Sequence, residues 1–97
     1  MCGIVGITSN KEVTSSIINS LKKLEYRGYD SAGIATLNEG HINEIKCEGR
    51  VDALEKNLSK TNLHGTVGFG HVRWATHGAA SSINAHPHSS ENVSVVH

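Results

Sequence analysis

Cysteine, proline and aromatic side chains are all scarce in this 97-residue chain, which holds two Cys, one Pro, one Trp, one Phe and two Tyr. Two cysteines, Cys2 and Cys47, are too few for a disulfide-stapled scaffold, and a reducing cytosol is the expected compartment. No sign of charge prevails either. Nine basic side chains stand against nine acidic ones, scattered along the chain, so nothing directs it to nucleic acid or to an anionic membrane surface. No apolar run reaches the roughly 18 residues that a membrane-crossing helix needs. The opening Met1-Cys2-Gly3-Ile4-Val5-Gly6 lacks the basic region of a secretory signal peptide, and it cannot be a myristoylation signal, in which Gly follows Met directly. Internal repeats and low-complexity tracts are absent. At this length the chain holds one domain at most, since domains commonly run to about 100–150 residues.

What is present reads as alternating strands and helices. Ile4, Val5 and Ile7 suggest a buried strand close behind the terminus. Ser9 and Glu12 have capping-box spacing ahead of Val13, Ile17, Leu21 and Leu24, which repeat at helical intervals, and Gly28 stands where a C-cap glycine would end that helix. Ala32 to Leu37 and Ile42 to Cys47 read as a hairpin around Asn38-Glu39-Gly40. Val51, Leu54 and Leu58 predict a shorter amphipathic helix. Thr66 to Trp74 reads as a strand in which Gly68 and Gly70 leave one face bare for a close approach. The small, polar and histidine residues from Ala75 to Asn92 suit a loop that carries chemistry. Val93 to His97 is a strand pattern that stops with the chain, so the chain is expected to be cut inside a domain, to expose a sheet edge and a core face, and to be prone to self-association.

Cys2 is the first candidate for chemistry. Removal of Met1 would give it a free α-amine with an ordinary pKa of about 7.7–8.0. Such an amine can take the proton of the thiol of its own residue, and the thiolate is the reactive form. Gly3 and Gly6 are expected to leave room beside the sulfur for a substrate.

Three further segments accompany the Cys2-Gly3-Ile4-Val5-Gly6 start: Leu24-Glu25-Tyr26-Arg27-Gly28-Tyr29-Asp30-Ser31-Ala32-Gly33, then Arg73-Trp74-Ala75-Thr76-His77-Gly78, then Asn84-Ala85-His86-Pro87-His88. In this order and spacing they closely resemble the glutaminase domain of the glutamine–fructose-6-phosphate aminotransferases (isomerizing), the glucosamine-6-phosphate synthases. The resemblance covers nearly the whole chain. Other class II glutamine amidotransferases, such as the amidophosphoribosyltransferases, share the Cys-Gly-Ile start and an Arg-Gly-x-Asp-Ser-Ala-Gly segment, whereas Arg73 to Gly78 and Tyr26 to Tyr29 resemble the sugar-phosphate branch.

The resemblance implies an α+β fold, part of the four-layer αββα sandwich of N-terminal-nucleophile (Ntn) hydrolases, of which residues 1–97 would be the N-terminal portion. It implies Cys2 as the nucleophile that attacks the side-chain amide of L-glutamine. Arg73 would bind the substrate α-carboxylate, a role suited to the planar guanidinium fork. Thr76 and His77 would contact or enclose the substrate, Trp74 would help to gate it, and Arg27 and His86 would support the site from behind, His86 through a hydrogen bond within its loop. No cofactor and no metal are implied. Ammonia would pass to fructose 6-phosphate on sugar-isomerase domains outside this chain, in a protein expected to be a homo-oligomer.

The resemblance also implies what residues 1–97 omit: an Asn-Gly oxyanion hole directly after the position of His97, and an aspartate for the substrate amine. The chain by itself is therefore expected to be catalytically silent or nearly so. Ala79-Ala80 replaces the Glu-Pro of many members, from which a more mobile loop is expected. Two other readings stand beside this one. The first is another class II glutamine amidotransferase. The second is a non-enzymatic module that binds a metal or a partner through its histidine-rich loop.

Overall fold

The computed structural model describes residues 1–97. Strand β1 (Gly3–Thr8) leads to helix α1 (Thr14–Leu24) and a single 3-10 turn (Glu25–Arg27). Next come β2 (Ser31–Asn38), β3 (His41–Glu48), helix α2 (Val51–Leu58) and β4 (Val67–Arg73), and then two short strands, β5 (His88–Ser89) and β6 (Ser94–Val95). Four strands form one sheet in the order β1-β4-β2-β3, antiparallel throughout, while β5 and β6 pair only with each other. The fold is α+β, with both helices on one face of the sheet.

That face is set by the pleat. Ala32, Ile34 and Thr36 alternate with Ser31, Gly33 and Ala35 along β2, and the register places Ala32 beside Val72 and Cys47. Val13, Ile17, Ile18 and Leu21 from α1 meet Val51 and Leu54 from α2 over Ala32, Ile34, Cys47 and Val72, all buried in one core. The two glycines of β4 let α1 lie directly on the strand. A Cβ on Gly70 would fall 2.7 Å from Ile17 Cγ2 and 2.8 Å from Leu21 Cδ1, and one on Gly68 would fall 3.0 Å from Ile17 Cδ1.

Several local expectations are corrected. β1 is an edge strand, and it is not buried: Ile4 is 46% exposed, and Val5 and Ile7 are only half-buried. The Ser9–Glu12 capping box does not form, because the helix begins at Thr14 and has no side-chain cap. Glu12 instead accepts the Gly65 N–H at 2.6 Å and meets His64 Nδ1 at 2.7 Å, while Ser9 N–H and Val13 N–H donate to Thr66 O and Gly65 O. These bonds tie the entrance of α1 to the segment that feeds β4. Gly28 ends the 3-10 turn in an extended conformation, at φ 178°. Its lack of a side chain serves a different purpose, since a Cβ there would lie 2.5 Å from the carbonyl carbon of Arg73. Gly3 and Gly6 do not clear space at the sulfur. Gly3 packs against Val72 and Leu24, and Gly6 is exposed farther along β1. Of Val93 to His97, only Ser94–Val95 is strand.

The second face of the sheet is covered over the central strands β4 and β2 by residues 85–88. Beyond them Ile4, Leu37 and Val67 are between 42% and 46% exposed. Residues 1–97 thus supply one helix layer, one sheet, and a bare apolar surface of the kind on which a further sheet packs.

Candidate active site

The site forms where the start of β1 lies beside the end of its antiparallel neighbour β4. Gly3 pairs with Val72, so Cys2 emerges beside Arg73 and Trp74 at the C-terminal end of β4. The Trp74 N–H points at Cys2 Sγ over 3.5 Å, and Trp74 O lies 4.0 Å from the same sulfur. Arg27, at the end of the 3-10 turn, donates through Nε to the Cys2 carbonyl at 2.9 Å. The tight passage of Gly28 across Arg73 brings that turn close enough.

A cleft of about 550 Å³ opens next to the sulfur. Cys2 lines it together with Arg73, Trp74, Thr76, His77 and His86 from the distant segment 73–86. Arg27 does not, and reaches the site only through the Cys2 backbone. Asn84, His88 and His97 also line the cleft. The sequence assigns them no role in glutamine binding, although Asn84 and His88 lie inside the Asn84–His88 segment and His88 belongs to the histidine-rich loop weighed for metal binding.

Arg73 is 8% exposed, and its guanidinium gathers the following loop. Nη1 donates to Ala79 O at 3.0 Å, and Nη2 donates to His77 O and reaches toward Gly78 O. Asn84 Nδ2 donates to the same Ala79 carbonyl at 2.9 Å. The Ala79-Ala80 loop is therefore held by two side chains through one carbonyl oxygen. Trp74, 44% exposed, stands edge-on to Tyr29 with ring centroids 5.8 Å apart.

Four histidines back the cleft. His71 is fully buried, with Nε2 2.7 Å from His97 O, and it stacks on His86 at 4.3 Å between centroids. His88 and His97 each meet the His86 ring edge-on at 4.4 Å. The hydrogen bond expected of His86 is not made at its buried Nδ1, which has no partner. Ring packing holds this residue. Burial first, and then the neighbouring His71, His88, His97 and Arg73, push the His86 pKa down to about 4, and burial also lowers that of His71. No group of three or more His, Cys, Asp or Glu side chains is placed to hold a metal ion.

The histidine stack has a consequence for stability. In the unfolded chain His86 titrates near its ordinary pKa of about 6.5. Between pH 6.5 and 4 the unfolded state therefore binds more protons than the folded one, and stability falls as pH falls through that window. The loss at pH 4 is expected to be on the order of a few kcal/mol. Urea titrations at pH 7.5, 5.5 and 4.5 should show it, and His86→Gln should flatten the dependence. An unchanged slope in that variant would contradict the assignment.

No family model matches the chain. Individual relatives do. The chain is 56% identical over 97 residues, its full length, to a protein of Bartonella henselae, and 56% identical over 99 aligned residues to one of Clostridium acetobutylicum. It spans about 16% of the length of each. Among solved structures, the glutamine phosphoribosylpyrophosphate amidotransferase from B. subtilis, complexed with ADP and GMP, superposes with a TM-score of 0.77 at 28% identity. That match covers 97% of this chain and 20% of the other. The fold is of the Ntn type found in that class II glutamine amidotransferase. Both curated relatives are more specific: each is a glutamine–fructose-6-phosphate aminotransferase (isomerizing), and this chain matches the N-terminal part of that enzyme.

Proposed function

We propose that residues 1–97 form the N-terminal portion of the glutaminase domain of a glutamine–fructose-6-phosphate aminotransferase, with Cys2 as nucleophile. The observation that carries this reading is the meeting of the Cys2 thiol and the Arg73 guanidinium in one cleft, 71 positions apart in sequence. Met1 is 75% exposed, which suits its removal by an aminopeptidase. While it remains, the Cys2 nitrogen is an amide and cannot serve as a base.

Once freed, the α-amine takes the thiol proton and the sulfur adds to the side-chain carbonyl carbon of L-glutamine. The tetrahedral adduct expels ammonia, and water then cleaves the glutamyl thioester, releasing glutamate and restoring the thiol. Arg73 pairs with the substrate α-carboxylate in a bidentate fork. Thr76 and His77 close around the substrate and Trp74 gates it, while Arg27 and His86 steady the site from behind. Ammonia then passes to fructose 6-phosphate, giving glucosamine 6-phosphate on domains beyond this chain, in a cytoplasmic homo-oligomer.

In this reading the oxyanion donors also lie beyond residue 97. Removing even one such donor commonly costs about 10²–10³ in rate, so residues 1–97 alone turn over little or no glutamine. The test therefore uses the full-length gene product. An electrophilic glutamine mimic should modify Cys2 stoichiometrically, with loss of glutamine-dependent ammonia release and with Met1 absent from the intact mass. Modification elsewhere, with ammonia release intact, would remove the basis for the proposal.

A further inference from the structure

The Cys2 sulfur lies within reach of both backbone polar atoms of a single residue. The Trp74 nitrogen is 3.5 Å from Sγ, and Trp74 O is 4.0 Å from it. These atoms belong to different peptide planes. A trans peptide carries its N–H and its C=O on opposite edges, so a contact that grips one edge aims the other. Asp30 grips the far edge of both planes. Its backbone N–H donates to Arg73 O at 3.1 Å, in the plane whose opposite edge is the Trp74 N–H. Its Oδ2 accepts the Ala75 N–H at 2.6 Å, in the plane whose opposite edge is Trp74 O.

Asp30 is itself anchored away from the cleft. Its carbonyl accepts the Gly49 N–H at 2.9 Å, just ahead of α2. Gly28, two residues earlier, lets residues 28–30 run flush against Arg73 and Trp74. The carboxylate is held by the Ala75 amide, so Asp30 reaches the sulfur only through the backbone of another residue.

We infer that Asp30 is a positioning residue for the Cys2 sulfur, acting through the two peptide planes of Trp74. The Asp30 backbone fixes the plane of the Trp74 N–H and its carboxylate fixes the plane of Trp74 O, so the two together set where the sulfur is held at the mouth of the cleft. The inference rests on the reading of Cys2 as nucleophile, but it concerns the sulfur itself and can be measured without glutamine.

The experiment is alkylation of the full-length protein by iodoacetamide, followed by mass spectrometry of the Cys2 and Cys47 peptides. Asp30→Ala removes the carboxylate acceptor of the Ala75 N–H and so frees the plane of Trp74 O, while the Asp30 backbone still holds the plane of the Trp74 N–H. The sulfur is then seated by one plane instead of two, and Cys2 alkylation is expected to slow by up to about tenfold, the scale of one hydrogen bond to a charged group. Asp30→Asn keeps an acceptor oxygen and is expected to stay within about threefold of the unmodified rate. Buried Cys47 reports the fold and should remain protected in both. An unchanged Cys2 rate in Asp30→Ala overturns the inference. So does an equal fall in Asp30→Asn, because the acceptor would then not be the agent. Should Asp30→Ala unfold, seen as alkylation of Cys47, Asp30→Glu takes its place. That variant keeps the charge but moves it by one methylene, and the same slowing is expected. The unmodified rate there overturns the inference as well. Failure of the glutamine mimic to label Cys2 would refute the proposed nucleophile, and leave the effect of Asp30 on iodoacetamide to be read separately.

Discussion

Cys2→Ser in the full-length protein is expected to lower ammonia release from glutamine by on the order of 10³-fold or more, the usual consequence of removing a catalytic nucleophile. The substitution keeps a small polar side chain at the mouth of the cleft, so binding is expected to survive while turnover disappears. A hydroxyl holds its proton far more tightly than a thiol, and the α-amine is too weak a base to strip it at neutral pH. The measurement is glutaminase activity alongside glutamine affinity, for instance by equilibrium dialysis. Turnover within tenfold of the unmodified protein would show that the sulfur is not the attacking atom, and the functional reading would fall with it.

The second large effect is on the fold. A Cβ on Gly33 would lie 1.9 Å from His86 O and 3.0 Å from Pro87 Cδ, on the sheet face away from the helices. Both obstacles belong to residues packed hard against β2, so the clash cannot be relieved by turning a side chain. Overpacking in a tight site costs about 1–3 kcal/mol and sometimes more, and Gly33→Ala is expected at or above the top of that range. Gly6→Ala is the control. A Cβ there meets nothing closer than 3.9 Å, and a change below about 1 kcal/mol is expected. Urea unfolding of the two variants side by side decides the matter, and equal midpoints would mean that residues 85–88 do not sit on Gly33 in solution.

The two variants also show where sequence reasoning reaches and where it stops. Periodicity located every major element, because α1 and α2 each bury one stripe and β2 and β3 are joined by a tight turn at Glu39-Gly40. It misjudged the ends. Glu12 reads as a local cap, yet its carboxylate is claimed by residues 64 and 65, more than fifty positions away. Likewise Glu25 accepts the Val51 N–H at 2.8 Å and so caps α2 from the far side of the hairpin. Nothing in a local window announces such bonds.

Of the residues that line the cleft, Cys2, Arg73, Trp74, Thr76 and His77 stand out in the sequence because their motifs resemble those of glutaminases. Asn84, His88 and His97 have no role in glutamine binding legible there, since membership of the cleft depends on how residues 84–97 fold back over the sheet. Asp30 was visible as a motif letter only. Its geometry, one residue bracketing two peptide planes, exists only once β2 and β4 are paired.

Arg73 offers a last point. Its Nη1 and Nη2 already donate to carbonyls of residues 77–79. In the proposed role, a carboxylate that draws on the same two nitrogens competes with those carbonyls, so the present loop arrangement and ligand capture are competing states of one side chain. Whatever free energy the loop gains from its own arginine is subtracted from the ligand's apparent affinity. A weaker grip on the loop would make a tighter trap.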